Sequence, residues 1–298
     1  MSFSSNAKAE LCREELRKRC CATAECCGIL LYCNTFSPDL IRIVTESEDF
    51  ALRLPRLFRK AYGLEFDTMP EEAAPGKNVF TVTEPEKLER IRTSMGLSPR
   101  ESITLHVNYA LLENECCRTS FLRGAFLAGG SVTDPEKRYH LELATTHYKV
   151  SKEVFSLLLD MGFSPKETVR NGSSILYFKQ SDAIEDFLTF LGAQICAMGV
   201  MEAKIEKDMK NKINRIVNCD NANTSKVVDA AQIQITAIHR LQDQGILETL
   251  PEKLQETAHL RLENPEANLT ELAQLLDPPL TKSAVNHRLR KLVELSKE

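Results

Sequence analysis

A spacing of 96 residues runs through the first two thirds of the chain and limits what it can fold into. Gly28 and Gly124 lie 96 apart, each within a short apolar segment of small residues. Val79–Val82 and Ile175–Phe178 keep the same offset, and both read as buried strands. Gly96 and Gly192 repeat it, each closing an amphipathic stretch (Leu88, Ile91, Met95; Ile184, Phe187, Leu191). Between these marks, Arg53 to Gly63 and Glu153 to Gly162 read as helices ending at glycine, with a slightly shifted offset. Four matches in the same order define a duplicated unit, with repeats at about 21–97 and 118–193.

Each unit reads as helix, two strands, helix, two strands, helix. In the second copy, Asp134 to Lys137 is turn chemistry between Ser131-Val132 and the strand Tyr139 to Ala144. Lys149 to Met161 is helical, with Val150, Val154, Leu157, Leu158 and Met161 on one face, and Asn171-Gly172 turns a second hairpin. Such a unit leaves one sheet face free of helices, and two side by side predict a broad concave antiparallel sheet. The expected class is α+β: an N-terminal helix over 1–20, a duplicated αββαββα domain over 21–203, a linker helix over 204–224, and an all-α domain over 225–298.

Composition narrows the function classes. With 298 residues, 43% of them hydrophobic, the chain can bury a core without disulfides or metal. The longest apolar runs, such as Gly28 to Cys33, fall far short of the roughly 18 residues of a membrane span. The first residues carry no apolar signal core, which predicts a cytoplasmic protein. Six of the ten cysteines form adjacent pairs (Cys20-Cys21, Cys26-Cys27, Cys116-Cys117), with no Cys-x-x-Cys and no histidine at finger spacing. That pattern predicts small, reduced, buried thiols and neither a zinc site nor any other metal or cofactor. A net charge of −4 excludes a wholly basic nucleic-acid binder. The charge is uneven, however. Residues 248–277 carry Lys253 and Arg261 against seven acids, whereas 282–297 carry Lys282, Arg288, Arg290, Lys291 and Lys297 against Glu294 alone.

The last third reads as helical. Met201, Ile205, Met209, Ile213 and Ile216 form a stripe on a connecting helix whose Lys204, Lys207, Lys210 and Lys212 are expected in solvent; a solvated linker and a phosphate-contacting helix are equally compatible with it. The polar run Asn218 to Thr224 predicts a break at a domain boundary, and Val228, Ala231, Ile235 and Ile238 the next helix, ended by Gly245. Pro251 opens a helix that Asn264-Pro265 stops. Asn268 with Glu271 predicts a capping box for Leu269 to Leu276. After the connector Asp277 to Leu280, Thr281 caps a helix to about Ser296. A short helix, a brief turn and a longer basic helix over 268–296 match helix-turn-helix organisation. Val285, Leu289, Leu292 and Leu295 fall on the core side, so Lys282, Ser283, Asn286 and His287 are expected toward base edges or phosphates of double-stranded DNA. Arg288, Arg290 and Lys291 are expected on the DNA backbone or guanine. The competing reading is an amphipathic surface helix with ordinary solvated charge.

The segment Leu122 to Gly130 resembles the LAGLIDADG motif of homing endonucleases, and Cys26 to Asn34 is a weaker first copy. The resemblance implies two motif helices packed about a pseudo-twofold axis, with Gly28, Gly124, Ala125 and Ala128 permitting close approach. The alternative is two tightly packed core helices of another duplicated fold, with Gly129-Gly130 as a C-cap. In active members the eighth motif position is a metal-binding acid; here Cys33 and Gly129 stand there, so no catalytic residue is expected. Asp134, five residues on, reads as a turn former. With Arg215 to Asn223, His259 to Glu266 and Lys282 to Lys291, the whole chain resembles the WhiA family, degenerate LAGLIDADG-like domains followed by a helix-turn-helix. That resemblance implies a non-catalytic, nucleoid-associated DNA-binding regulator of cell division and chromosome segregation, or of sporulation, with division or transcription proteins as further partners. A divergent homing endonuclease and a division-protein adaptor are the alternatives. The internal duplication already supplies twofold shape, which favours a monomer.

Overall fold

The computed structural model describes residues 2–71, 76–97 and 104–297, and the chain divides into two units between Lys207 and Asp208. The first unit holds the duplication. Its first half comprises α2 (Arg19–Tyr32), β1 (Thr35–Phe36), β2 (Ile41–Thr45), α3 (Glu48–Tyr62), β3 (Asn78–Val82) and α4 (Pro85–Ser94). Its second half comprises α5 (Glu115–Gly129), β4 (Gly130–Val132), β5 (Leu141–Thr145), α6 (Tyr148–Asp160), β6 (Lys166–Arg170), β7 (Ser173–Phe178) and α7 (Ser181–Leu191). The expected helix over 1–20 is shorter: α1 spans Phe3–Cys12, and residues 13–18 are irregular before α2 begins.

Hydrogen bonding divides the antiparallel surface into two sheets, β1-β2-β3 and β4-β5-β7-β6. The second half carries all four expected strands. In the first half, among the described residues, the strand that would flank β3 is a single bridge, Thr68 with Thr81. Pro70 stands two residues on, and proline cannot extend a ladder. Asp67 compensates, its carboxylate accepting from the backbone of Thr83 (2.6 Å) and Glu84 (2.8 Å) and from Lys87. These bonds hold the start of α4 where a fourth strand would have anchored it. The Asn171-Gly172 turn forms as expected, both residues at positive φ (51° and 78°), which suits asparagine and glycine. In β2, Ile41, Ile43 and Thr45 are buried while Arg42 faces solvent; β5 alternates in the same way, so each sheet buries one face against the helices.

The two motif helices α2 and α5 pack backbone to backbone. A Cβ on Gly28 would stand 2.0 Å from the Phe121 carbonyl oxygen, and one on Gly124 would stand 2.1 Å from that of Glu25. Phe121 is Glu25 displaced by the 96-residue repeat, so the two close approaches are one contact seen from both sides of an internal twofold. Ala125 is fully buried at the crossing, and the half-buried Ala128 packs against the same core. Inside it, Arg53 on α3 forms a bidentate pair with Glu25 (2.6 and 2.9 Å) and donates to the carbonyls of Cys12 (3.0 Å) and Glu14 (2.6 Å).

One uninterrupted helix, α8 (Gln194–Asp243), replaces the linker helix, break and following helix expected over 204–244. The run Asn218 to Thr224 favours helix ends when its side chains cap a terminus, but here every residue of it is exposed, and no proline or glycine interrupts it. Met201, Ile205, Met209, Ile213 and Ile216 lie exposed along α8. Of the lysines expected free beside them, Lys204 pairs with Asp182, and Lys207 donates to the Pro135 carbonyl (2.7 Å) and sits 4.3 Å over the Tyr139 ring.

The second unit adds three helices, α9 (Glu252–Glu263), α10 (Leu269–Leu275) and α11 (Lys282–Leu295), at the boundaries read from caps and breakers. Ile238, Leu241, Leu254, Ala258, Leu272, Val285, Leu289 and Leu292 belong to its core. Gly245, at φ 66°, sits just beyond the end of α8.

Candidate nucleic-acid interface

The second unit is ordered by local hydrogen bonds that the sequence announces. Asn268 accepts from the backbone of Thr270 (2.9 Å) and Glu271 (3.1 Å), while Glu271 accepts from the Asn268 amide (2.8 Å), completing the capping box. Leu280 donates its amide to the Ala273 carbonyl (2.9 Å), and Thr281 accepts from Ala284 (3.3 Å) at the start of α11. Arg261, one of two cations in the acidic stretch, is only 2% exposed and donates to the Ala267 carbonyl at 2.7 Å. It therefore locks the turn between α9 and α10 and contributes no surface charge.

Helix α11 turns Val285, Leu289 and Leu292 fully inward. Lys282, Ser283, His287, Arg290 and Lys291 are exposed on the other side, and Asn286 is half-buried at the flank. Arg288 differs from its expected place: it is half-buried and donates to the Lys253 carbonyl and the Thr257 hydroxyl, both at 3.2 Å, with Glu256 at 3.8 Å. Its guanidinium braces α11 against α9. It is expected from sequence on the DNA backbone or guanine, and only the neighbouring helix decides that its side of α11 is occupied.

At the degenerate motif positions, Cys33 follows the end of α2 and donates its thiol to the carbonyls of Leu30 (3.2 Å) and Thr35 (3.3 Å). Burial pushes that thiol up to about 12. Gly129 ends α5 where a Cβ would stand 2.4 Å from the Ala144 carbonyl oxygen and 2.9 Å from the Tyr32 ring. No side chain, acidic or otherwise, fits there without a shift of β5. Asp134 accepts from the Glu136 amide at 3.0 Å, the turn role read from its sequence.

On the solvent side of the second sheet, Glu142 shares a row with Ser131, Tyr177 and Lys166. It accepts from His140 (3.0 Å) and Arg170 (3.1 Å). Burial works against its ionisation, but the His140 hydrogen bond and the Arg170 charge outweigh it and hold the carboxyl below the usual carboxylate range. Sequence reasoning did not single out this mixed-charge row; its signal was the i, i+2 spacing of His140 and Glu142 on one strand face.

A duplicated LAGLIDADG-like domain followed by a helix-turn-helix defines a class of DNA-binding architecture in which the nuclease motif is degenerate. Residues 118–210 match the WhiA LAGLIDADG-like domain and residues 213–296 the WhiA C-terminal HTH domain. A probable cell division protein WhiA of Ruminiclostridium cellulolyticum is 39% identical over 304 residues, 99% of this chain and 97% of that protein. One of Alkaliphilus metalliredigens is 36% identical over 309 residues, covering 99% and 98% respectively. The crystal structure of full-length DUF199/WhiA from Thermatoga maritima matches with a TM-score of 0.61 at 25% identity, over 100% of this chain and 98% of that one. The chain belongs to the WhiA family. No helix among the described residues is long and apolar enough to cross a membrane.

Proposed function

We propose that this protein is a non-catalytic, sequence-specific DNA-binding regulator of cell division and chromosome segregation, acting at the nucleoid through α11. The observation that carries the reading is the outward row Lys282, Ser283, His287, Arg290 and Lys291, left exposed while Arg261 and Arg288 are spent inside the same domain. A helix of 14 residues is about 21 Å long, enough to lie in a major groove with its N-terminal residues at base edges. Family relatives named as probable cell division proteins support the cellular role. Loss of cleavage is supported by Gly129, where a metal-binding carboxylate has no room. The LAGLIDADG-like domain serves as a docking platform for division or transcription proteins. Residues 204–298 balance 14 basic against 14 acidic residues, so the net charge of −4 belongs to the remainder of the chain, and Glu142 places an ionised carboxylate on the solvent side of the second sheet.

The test is genome-wide DNA occupancy for wild type and for Arg290→Ala, paired with a magnesium-dependent cleavage assay on duplex DNA. Discrete peaks lost in the variant support the regulator. Occupancy unchanged in the variant removes α11 from the interface. Capture of division factors without DNA occupancy makes the protein an adaptor, and nicking by wild type makes it a divergent endonuclease.

A further inference from the structure

Two pairs of cysteines face each other within the first unit. Cys20 and Cys21 sit in the first turn of α2, and Cys116 and Cys117 in the first turn of α5. The pairs are 96 residues apart, so they are mates under the same duplication that relates Gly28 to Gly124. The internal twofold brings both pairs to one end of the motif-helix pair. The sulfurs of Cys20, Cys21 and Cys117 all lie within 4.8 Å of one another. Cys117 therefore meets both members of the α2 pair, and Cys116, its chain neighbour, stands at the position that the twofold relates to Cys20.

We infer that these thiols form a tetrathiolate site for a soft divalent cation of the zinc class, with Cys20, Cys21 and Cys117 as ligands and Cys116 completing the tetrahedron. Zn–S bonds of about 2.3 Å set neighbouring sulfurs ~3.8 Å apart, so the three closest sulfurs need contract by no more than about 1 Å. Cys20 and Cys116 are exposed, which leaves their rotamers free to make that adjustment. An all-sulfur set selects a thiophilic ion over magnesium or calcium.

The surroundings fit a site that becomes anionic when filled. Four thiolates around a dication leave about two negative charges, and both helices point their N-terminal amides at them. A cleft of about 560 Å³ opens onto Cys21 and Cys116, and its walls carry Arg13, Arg17, Lys18 and Arg123 against two acids. The cleft is also an entry path for the ion. Ser120, one turn on, donates to the Cys116 carbonyl at 2.8 Å and fixes the backbone that carries this ligand. Cys26 and Cys27, further along α2, are fully buried and belong to no such group among the described residues. A bound ion would staple the two halves of the domain at the end opposite Cys33 and Gly129, about 20 Å along the helices. Adjacent cysteine pairs do not look like a zinc motif in sequence because each pair is half a site and the other half lies 96 residues away.

The test uses the full chain, reduced, stripped with a chelator and titrated with Co²⁺. The expected result is one cobalt per chain, with near-ultraviolet thiolate-to-cobalt charge transfer and the visible bands of tetrahedral sulfur coordination, all displaced by Zn²⁺. Cys20→Ser/Cys117→Ser should lose those bands and bind more than about a hundredfold more weakly, since loss of an outer-shell partner alone can cost that much. Cys219→Ser, an exposed cysteine on α8, should keep them, and circular dichroism should report all three proteins folded. Absence of charge transfer in wild type, its survival in the double variant, or a Cys20–Cys117 disulfide formed with no metal uptake would each overturn the site.

Discussion

Glu25 and Arg53 form a two-pronged ion pair at 2.6 and 2.9 Å, with their side chains only 1% and 5% exposed. Glu25 lies on the motif helix that crosses α5, and its carbonyl oxygen is the atom Gly124 approaches. The pair therefore ties the packing of the twofold axis to α3 and, through Arg53, to the carbonyls of Cys12 and Glu14. Replacing Glu25 with alanine strands a buried guanidinium. We expect a loss of about 3–5 kcal/mol in chemical denaturation, larger than for any exposed pair such as Arg59 with Glu65.

Gly124→Ala should destabilise the domain by several kcal/mol, because the added methyl meets backbone, not a movable side chain. Gly28→Ala should do the same, since the contact is shared. Gly199→Ala is the control: its Cβ would meet only the Phe3 ring at 3.5 Å, and α8 should gain about 0.5–1 kcal/mol of helix propensity. Thermal melts of the three variants separate close approach from general glycine effects.

The two arginines of α11 should behave oppositely. Arg290→Ala should leave the melting temperature unchanged, weaken DNA binding, and reduce the slope of log affinity against log salt by about 0.9. Arg288→Ala should lower the melting temperature, because it unties α11 from Lys253 and Thr257 on α9. Binding isotherms at several salt concentrations, set beside thermal melts, read both outcomes.

Asp67 should leave a signature in the acid limb of stability. Burial opposes its ionisation, but Lys87 and the amides of Thr83 and Glu84 outweigh that and bring its carboxyl down to about 2. A lowered folded-state value stabilises above the unfolded carboxylate range near pH 4 and is lost as pH falls toward 2. Asp67→Asn should therefore lower the melting temperature at pH 6 and converge on wild type near pH 2.

Much of this was legible locally. The capping box at Asn268, the Asn171-Gly172 turn, the glycine beyond α8 and the inward row of α11 depend on residues within one or two turns of each other. Period and propensity carry that information directly. Other features were misread because the deciding partner is remote. Asn218 to Thr224 resembles a helix boundary until the flanking turns are seen to be continuous. Arg288 reads as free until α9 lies beside it. The first-half sheet reads as four strands, although Pro70 lets Thr68 contribute only one bridge.

The order of residues alone indicated that the first two thirds of the chain hold one unit written twice, where the Asp134 and Asn171-Gly172 turns fall, and which face of α11 is apolar, since turns and faces follow from steric and hydrogen-bonding rules acting over short stretches. Folding in three dimensions chose which cations are consumed inside and which stay in solvent, brought cysteine pairs 96 residues apart to a common end, and closed the Gly129 position to any side chain. Those outcomes depend on distances between segments remote in the chain, which no local pattern encodes.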